Sequence, residues 1–351
     1  MRIRSIGPGL VAASLALLLA LFPCGRVSSE PAPEIPPAVL DAIGDAPAPG
    51  APTQVVVGAY INDIQQLDFK TNNYAVDLYV WFRWKGDDVD PSKTMEFMNR
   101  YASDDNLREQ LYDQPETMPD GGLYSIIRYQ GRFSSRFELE NYPFDTQVLR
   151  VVLEDTISGT DRQVYIPDGE NSVTVNPVIT LAGFTVGKPT LEVTSHTYPT
   201  NFGDVSQANA ETYSRISLSV PVTRPIVAMS IKTFVPIMLI VACAALVFFV
   251  RPRYVEGRIG LGITALLTLV ALQLTSGASL PDVDYLMMLD KMFLLAYLFI
   301  LLALARVVAT SWHGANHEAE TSIRRADRIW AGSLVAAFLA ANALVAWSAL
   351  A

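Results

Sequence analysis

Acidic, hydroxyl and small residues recur at helical spacing between Glu256 and Ala278. At 100° per residue, Gly260, Thr264, Leu267, Ala271, Leu274 and Ala278 fall within an arc of about 80°. One turn earlier Glu256 joins that arc, while Arg258 points to the opposite side. The stretch from Ile259 to Leu280 carries no charge and is long enough to cross a bilayer. Thr264, Thr268, Gln273, Thr275 and Ser276 interrupt its apolar character. A face that reads acid, glycine, hydroxyl, leucine, alanine, leucine, alanine suits a narrow water path. It would have a carboxylate ring at one mouth and apolar constrictions above it. The same small residues also suit close packing between membrane helices, so the rest of the chain must decide.

A second candidate chemistry is hydrolysis with Glu154 as one half of a carboxylate pair. Paired acids can cleave glycosides, but that requires a second acid at a defined separation, and nothing in the sequence places one. Metal-ligand spacings, a Gly-x-Ser-x-Gly elbow and phosphate-cradling glycines are also missing. The expectation is a protein that is not an enzyme and uses no cofactor or metal.

Positioning these residues falls to a chain of 351 residues, 50% hydrophobic, with a mean hydropathy of +0.26. That composition points to a membrane protein. Residues 1–29 read as a secretory signal: Arg2 and Arg4 precede an apolar run from Leu10 to Phe22, and Val27-Ser28-Ser29 offers a cleavage site. With Cys24 removed, Cys243 is the remaining cysteine, so no intrachain disulfide is expected. Residues 30–54 form a Pro/Ala-rich leader. Between residues 30 and 223 the chain carries 28 Asp and Glu against 13 Lys and Arg. Such an acidic surface repels nucleic acid and draws cations.

From residue 55 to 223 the pattern is one of short strands. Val76, Leu78, Val80, Phe82 and Trp84 alternate with Asp77, Tyr79, Trp81 and Arg83. Further strand-like runs cover Tyr124–Tyr129, Thr146–Glu154, Ser172–Leu181, Leu191–Thr197 and Tyr213–Thr223, and Asp90–Tyr112 reads as irregular or partly helical. Many short strands separated by turn formers predict an immunoglobulin-like β-sandwich. Four hydrophobic spans follow within 224–351: Ile226–Val250, Ile259–Leu280, about Met292–Val308, and Ile329–Ala351. The first and third connections are rich in arginine, the third spanning about 309–327, and the second carries Asp282, Asp284 and Asp290. Basic loops stay in the cytoplasm, so the sandwich and the C-terminus should lie outside. The class expected is α+β, a β-sandwich followed by a four-helix transmembrane bundle.

The run Phe137-Glu-Leu-Glu-Asn-Tyr142-Pro143-Phe144-Asp145-Thr-Gln147 resembles the signature loop of the pentameric ligand-gated ion channels, the Cys-loop receptor family. Animal members bracket it with two cysteines; Ser135 and Leu149 stand in those places, so the chain resembles the bacterial branch that lacks the bridge. Arg224-Pro225 before the first span, Pro236 within it, and the Leu280-Pro281 that closes the second span carry the likeness onward. The resemblance implies a homopentamer in a bacterial inner membrane whose second membrane helix lines a pore. A small or ionic agonist (an amine, a proton or another) would bind between neighbouring outer domains. Glu256 implies preference for permeating cations, although Gly257 stands where many animal cation channels carry a glutamate. By position the resemblance places the agonist against Tyr198, Phe202 and Tyr213, with Glu154 and Asp155, and with Tyr79 from a neighbour. Aromatics beside carboxylates suit a cation; the same acids permit divalent-cation modulation or proton sensing. Coupling between binding and pore is implied for Asp68, Lys70, Pro143, Asp145, Arg224, Pro281 and Tyr285. The alternative is a membrane-anchored pentameric sensor that binds a solute without conducting.

Overall fold

The computed structural model describes residues 51–101, 106–203, 211–311 and 317–350. The proposed signal sequence, nearly all of the leader and His313 lie outside the described residues.

Among the described residues twelve strands form two sheets. The first is ordered β4(Leu107–Gln110), β6(Leu123–Ser134), β2(Asn73–Trp84), β1(Thr53–Asp68), β8(Gln163–Pro167), with β5(Glu116–Thr117) on β6 and β9(Val173–Val175) on β1. The second is ordered β10(Thr185–Val186), β12(Glu211–Thr223), β7(Thr146–Asp155), β3(Met95–Phe97), with β11(Thr190–Tyr198) on β12. Alternation dictates what faces inward: Val76, Leu78, Val80, Phe82 and Trp84 of β2 are all buried. Across the core they share one cluster with Leu149, Leu153, Ile216 and Leu218 of the second sheet. This is a β-sandwich. Within Asp90–Tyr112 the chain makes a helical turn, Pro91–Thr94, and then the short strands β3 and β4. Only Val173–Val175 of the predicted Ser172–Leu181 run is a strand, held by parallel pairing to β1.

Among the described residues four helices follow, each long and apolar enough to cross a membrane. They are α1(Ile226–Ala245), which tightens into a 3₁₀ turn at Leu246–Phe248, α2(Val255–Gly277), α3(Met288–Ser311) and α4(His317–Leu350). Phe293, Ala296, Phe299 and Ile300 of α3 form the centre of the helical core, packed with Ile237 of α1, Leu269 of α2 and Phe338 of α4. The fourth helix starts well before the expected Ile329, because its first turns are polar and hydropathy alone does not register them.

Candidate functional site

Sheet pairing builds a pocket at the β11–β12 hairpin. Across β3, β7 and β12 the register sets Glu96 opposite Glu154 and Glu154 opposite Arg215. The β11–β12 hairpin sets His196 opposite Tyr213 and Tyr198 opposite Glu211. The result is a cavity of about 560 Å³ lined by Glu96, Met98, Glu154, Asp155, Tyr198, Phe202, Glu211 and Tyr213, among others. Tyr198 stands at its centre, edge-on to His196, Phe202 and Tyr213 at 4.5, 5.4 and 5.9 Å between rings.

The acids in this cavity are not equivalent. Glu154, almost fully buried, accepts an ion pair from Arg215 Nε and a 2.8 Å hydrogen bond from the Tyr198 hydroxyl. Asp155 accepts hydrogen bonds from the Ile157 and Ser158 amides at 2.9 and 2.6 Å and from the Thr94 hydroxyl, so it fastens the turn after β7. Glu154 is matched by a cation and Asp155 is spent on backbone. Glu96, exposed, and Glu211, half-buried, have no ion pair among the described residues and supply negative charge of their own. The Tyr213 hydroxyl donates to Glu211, and that bond, with burial, pushes the phenol up to about 12. Burial, then the bond to Glu154, raises Tyr198 as well.

Tyr79 lies in the other sheet, half-buried, with the Tyr60 ring 6.4 Å away and the Arg128 guanidinium 5.5 Å from its centre. Arg128 is held there by both oxygens of Asp77, at 3.1 and 2.9 Å. Burial works against the Asp77 charge, but hydrogen bonds from Arg128 and Asn62 outweigh it and keep the carboxyl below its usual range.

The second cluster sits where sandwich meets helices. Arg224, in the two residues between β12 and α1, forms a 2.8 Å ion pair with Asp145; the two side chains are 10% and 2% exposed. Its guanidinium lies 4.7, 4.9 and 4.5 Å from the rings of Phe69, Tyr142 and Phe184. Asp145 also accepts from the Gln147 amide, which donates to the Glu138 carbonyl at 2.7 Å as well. The loop around the cis Tyr142–Pro143 bond carries buried Pro143 and stacks Phe144 on Phe234 of α1 at 5.8 Å. It also reaches the α2–α3 connection: the Leu139 amide donates to the Tyr285 hydroxyl at 3.0 Å, and the Met288 amide to the Glu140 carbonyl at 2.8 Å. Pro281, half-buried, opens that connection, and its flanking Leu280 and Met287 are buried within the sandwich core. Asp68 accepts the Thr71 amide in its own turn; the Thr71 side chain first, then the Thr71 and Lys70 amides, hold its carboxyl below the usual range against burial, and Lys70 is exposed. Phe69 between them is the residue that meets Arg224.

The third group is the face of α2. Glu256, Gly260, Thr264, Leu267, Ala271, Leu274 and Ala278 are all exposed in the subunit, and Leu267 and Leu274 are 63% and 71% exposed. Arg258, Gly262, Ala265 and Leu269 on the opposite side are buried. A Cβ at Gly262 would come within 2.4 Å of Leu304, so that glycine sets how closely α2 approaches α3.

Sequence reasoning missed Glu96 and Glu211 in the pocket, Arg215 paired with Glu154, and Phe69 and Phe184 around Arg224. The first signal was there to find: Glu211, Tyr213 and Arg215 share one face of β12 by simple alternation.

Residues 233–330 match the family model of the neurotransmitter-gated ion-channel transmembrane region. The chain is 21% identical over 283 residues to the human gamma-aminobutyric acid receptor subunit rho-3, an alignment covering 75% of this chain and 59% of the relative. It is 23% identical over 195 residues to human rho-2, covering 55% and 40%. It is 25% identical over 269 residues to the pH-sensitive chloride channel 2 of Anopheles gambiae, covering 69% and 43%. The chain thus spans less than two thirds of the length of the relatives it matches. A β-sandwich, four membrane-length helices and the transmembrane-region match point the same way: the chain is similar to the neurotransmitter-gated ion channels, most directly over residues 233–330.

Proposed function

We propose that this protein is a homopentameric, ligand-gated and cation-selective ion channel. The observation that carries this reading is the division of α2: one arc, bearing Glu256 and the two leucines, finds no cover within the subunit, while the arc bearing Arg258 is buried. Five copies with that face inward enclose a water path that one copy cannot. Five Glu256 carboxylates at its mouth would concentrate cations and oppose anions. The agonist cavity is the space under the β11–β12 hairpin, closed by Tyr79 of a neighbouring copy. Its rings and unmatched Glu96 and Glu211 suit a small cation, an amine foremost, and its acids also offer protons or divalent cations a point of action. The setting is a bacterial inner membrane, with lipid around the helices and the sandwich and C-terminus on the periplasmic side.

A second reading concerns the ion alone. The likeness to a protein named a pH-sensitive chloride channel favours anions and a proton trigger. Purified protein in planar bilayers under a salt gradient distinguishes the cases. An agonist- or acid-evoked current reversing near the cation equilibrium potential is expected; reversal near that of chloride would make it an anion channel. Solute binding by intact pentamers without current would leave the non-conducting sensor.

A further inference from the structure

Arg258 is 1% exposed and lies two residues from Glu256 on the opposite side of α2. Its Nη2 donates to Asp327 of α4 at 2.7 Å, and its Nε to the Val247 carbonyl, in the 3₁₀ end of α1, at 3.0 Å. Asp327, also 1% exposed, takes a second ion pair from Arg306 of α3 at 3.0 Å. One carboxylate on the outermost helix in sequence therefore ties α2 to α3, and through Arg258 to α1. A guanidinium taken out of water is costly unless paired, and removing one partner of such a pair is strongly destabilising.

We propose that Asp327 is a positioning residue for the pore mouth: it holds Arg258 on the buried side of α2 and thereby fixes the rotation that presents Glu256. The geometry gives this a consequence in charge. A turn of α2 by one residue's angle, about 100°, can carry Arg258 into the exposed arc and Glu256 out of it. The sign of the charge lining the mouth would then reverse. Arg258 alone could satisfy its burial with carbonyls at several rotations, but a second helix bearing the counter-charge selects one. This inference rests on the exposed arc being the pore; the clamp itself does not.

The test uses the full chain in lipid nanodiscs with Cys24 and Cys243 replaced by serine. Thr264→Cys, on the exposed arc, and Ala265→Cys, at a site 5% exposed, are each treated with a water-soluble thiol reagent. Faster reaction is expected for Thr264→Cys. Adding Asp327→Asn should reduce that preference by about tenfold, and Asp327→Glu should retain it. Arg258→Lys keeps the charge but loses the fork, and should weaken the preference without preventing assembly, which covers an Asp327→Asn variant that fails to assemble. An unchanged preference in Asp327→Asn, or in Arg258→Lys, overturns the proposal. In bilayers, Asp327→Asn should also move the reversal potential towards that of chloride. If the unsubstituted protein carries no current, the channel reading fails while the thiol rates still judge the clamp.

Discussion

The ion pair between Asp145 and Arg224 offers the sharpest test of how the outer domain speaks to the helices. Asp145→Asn keeps the shape of the side chain and an acceptor for Gln147 but removes the charge; Arg224→Gln removes the other partner. With side chains 2% and 10% exposed at 2.8 Å, little water is available to compensate either loss. Breaking one such pair costs about 3–5 kcal/mol of fold stability, and Arg224 also loses three ring faces. Gating sees only the part that differs between closed and open states. A coupling of about 1–3 kcal/mol, or about 5–150-fold in the agonist midpoint, is expected from the double-mutant cycle. Thermal unfolding of the same four proteins separates the two effects, because a static pair would couple in stability and not in the midpoint. Strict additivity in the midpoint would refute the reasoning and leave Asp145 and Arg224 as two structural residues.

Leu267→Thr should shift the agonist response to lower concentration and slow closure, because five leucines on an axis resist hydration; at about 0.5–1 kcal/mol per subunit the closed state loses several kcal/mol. Leu274→Thr should act the same way more weakly, and a right shift for Leu267→Thr would mean that the pore face is rotated. Glu256→Ala should reduce cation preference in reversal-potential measurements under a salt gradient; an unaltered reversal potential would pass selection to the acidic outer domain. The Tyr213 phenol should ionise near 12, read from the difference in tyrosinate absorbance between wild type and Tyr213→Phe, and Glu211→Gln should bring it down. Since an unfolded tyrosine ionises near 10, the stability this group contributes is present below that pH and declines as pH rises towards 12.

What could be read from the sequence was what repeats. The alternation of β2 names its buried face because both faces of that strand meet distinct environments, and the arc of α2 follows from helical phase alone. What failed to announce itself was held by partners distant in sequence. Strand β3 is three residues long and exists through pairing to β7, and β9 through pairing to β1, so neither carries a pattern of its own. Charge also misled in both directions. Asp68 and Lys70 drew attention away from Phe69, and Asp327 among Arg324, Arg325 and Arg328 read as part of a basic loop although it is among the most buried acids. Glu154 could be located by position, but its neutralisation by Arg215 required the register.

Leu280 and Met287 belong to the helix connection in sequence and to the sandwich core in space. The β-sandwich is therefore not a separable module with a finished surface. A fragment cut at Thr223 would lack two of its own core side chains and would expose apolar wall where they belong, so it should self-associate through that end. A soluble version of the pocket under the β11–β12 hairpin would need the segment from Leu280 to Met287 tethered back in place, or polar substitutions along the wall it covers. By the same token, strain at the end of α2 and strain in the sandwich act on one shared set of contacts, and neither domain can relax without the other.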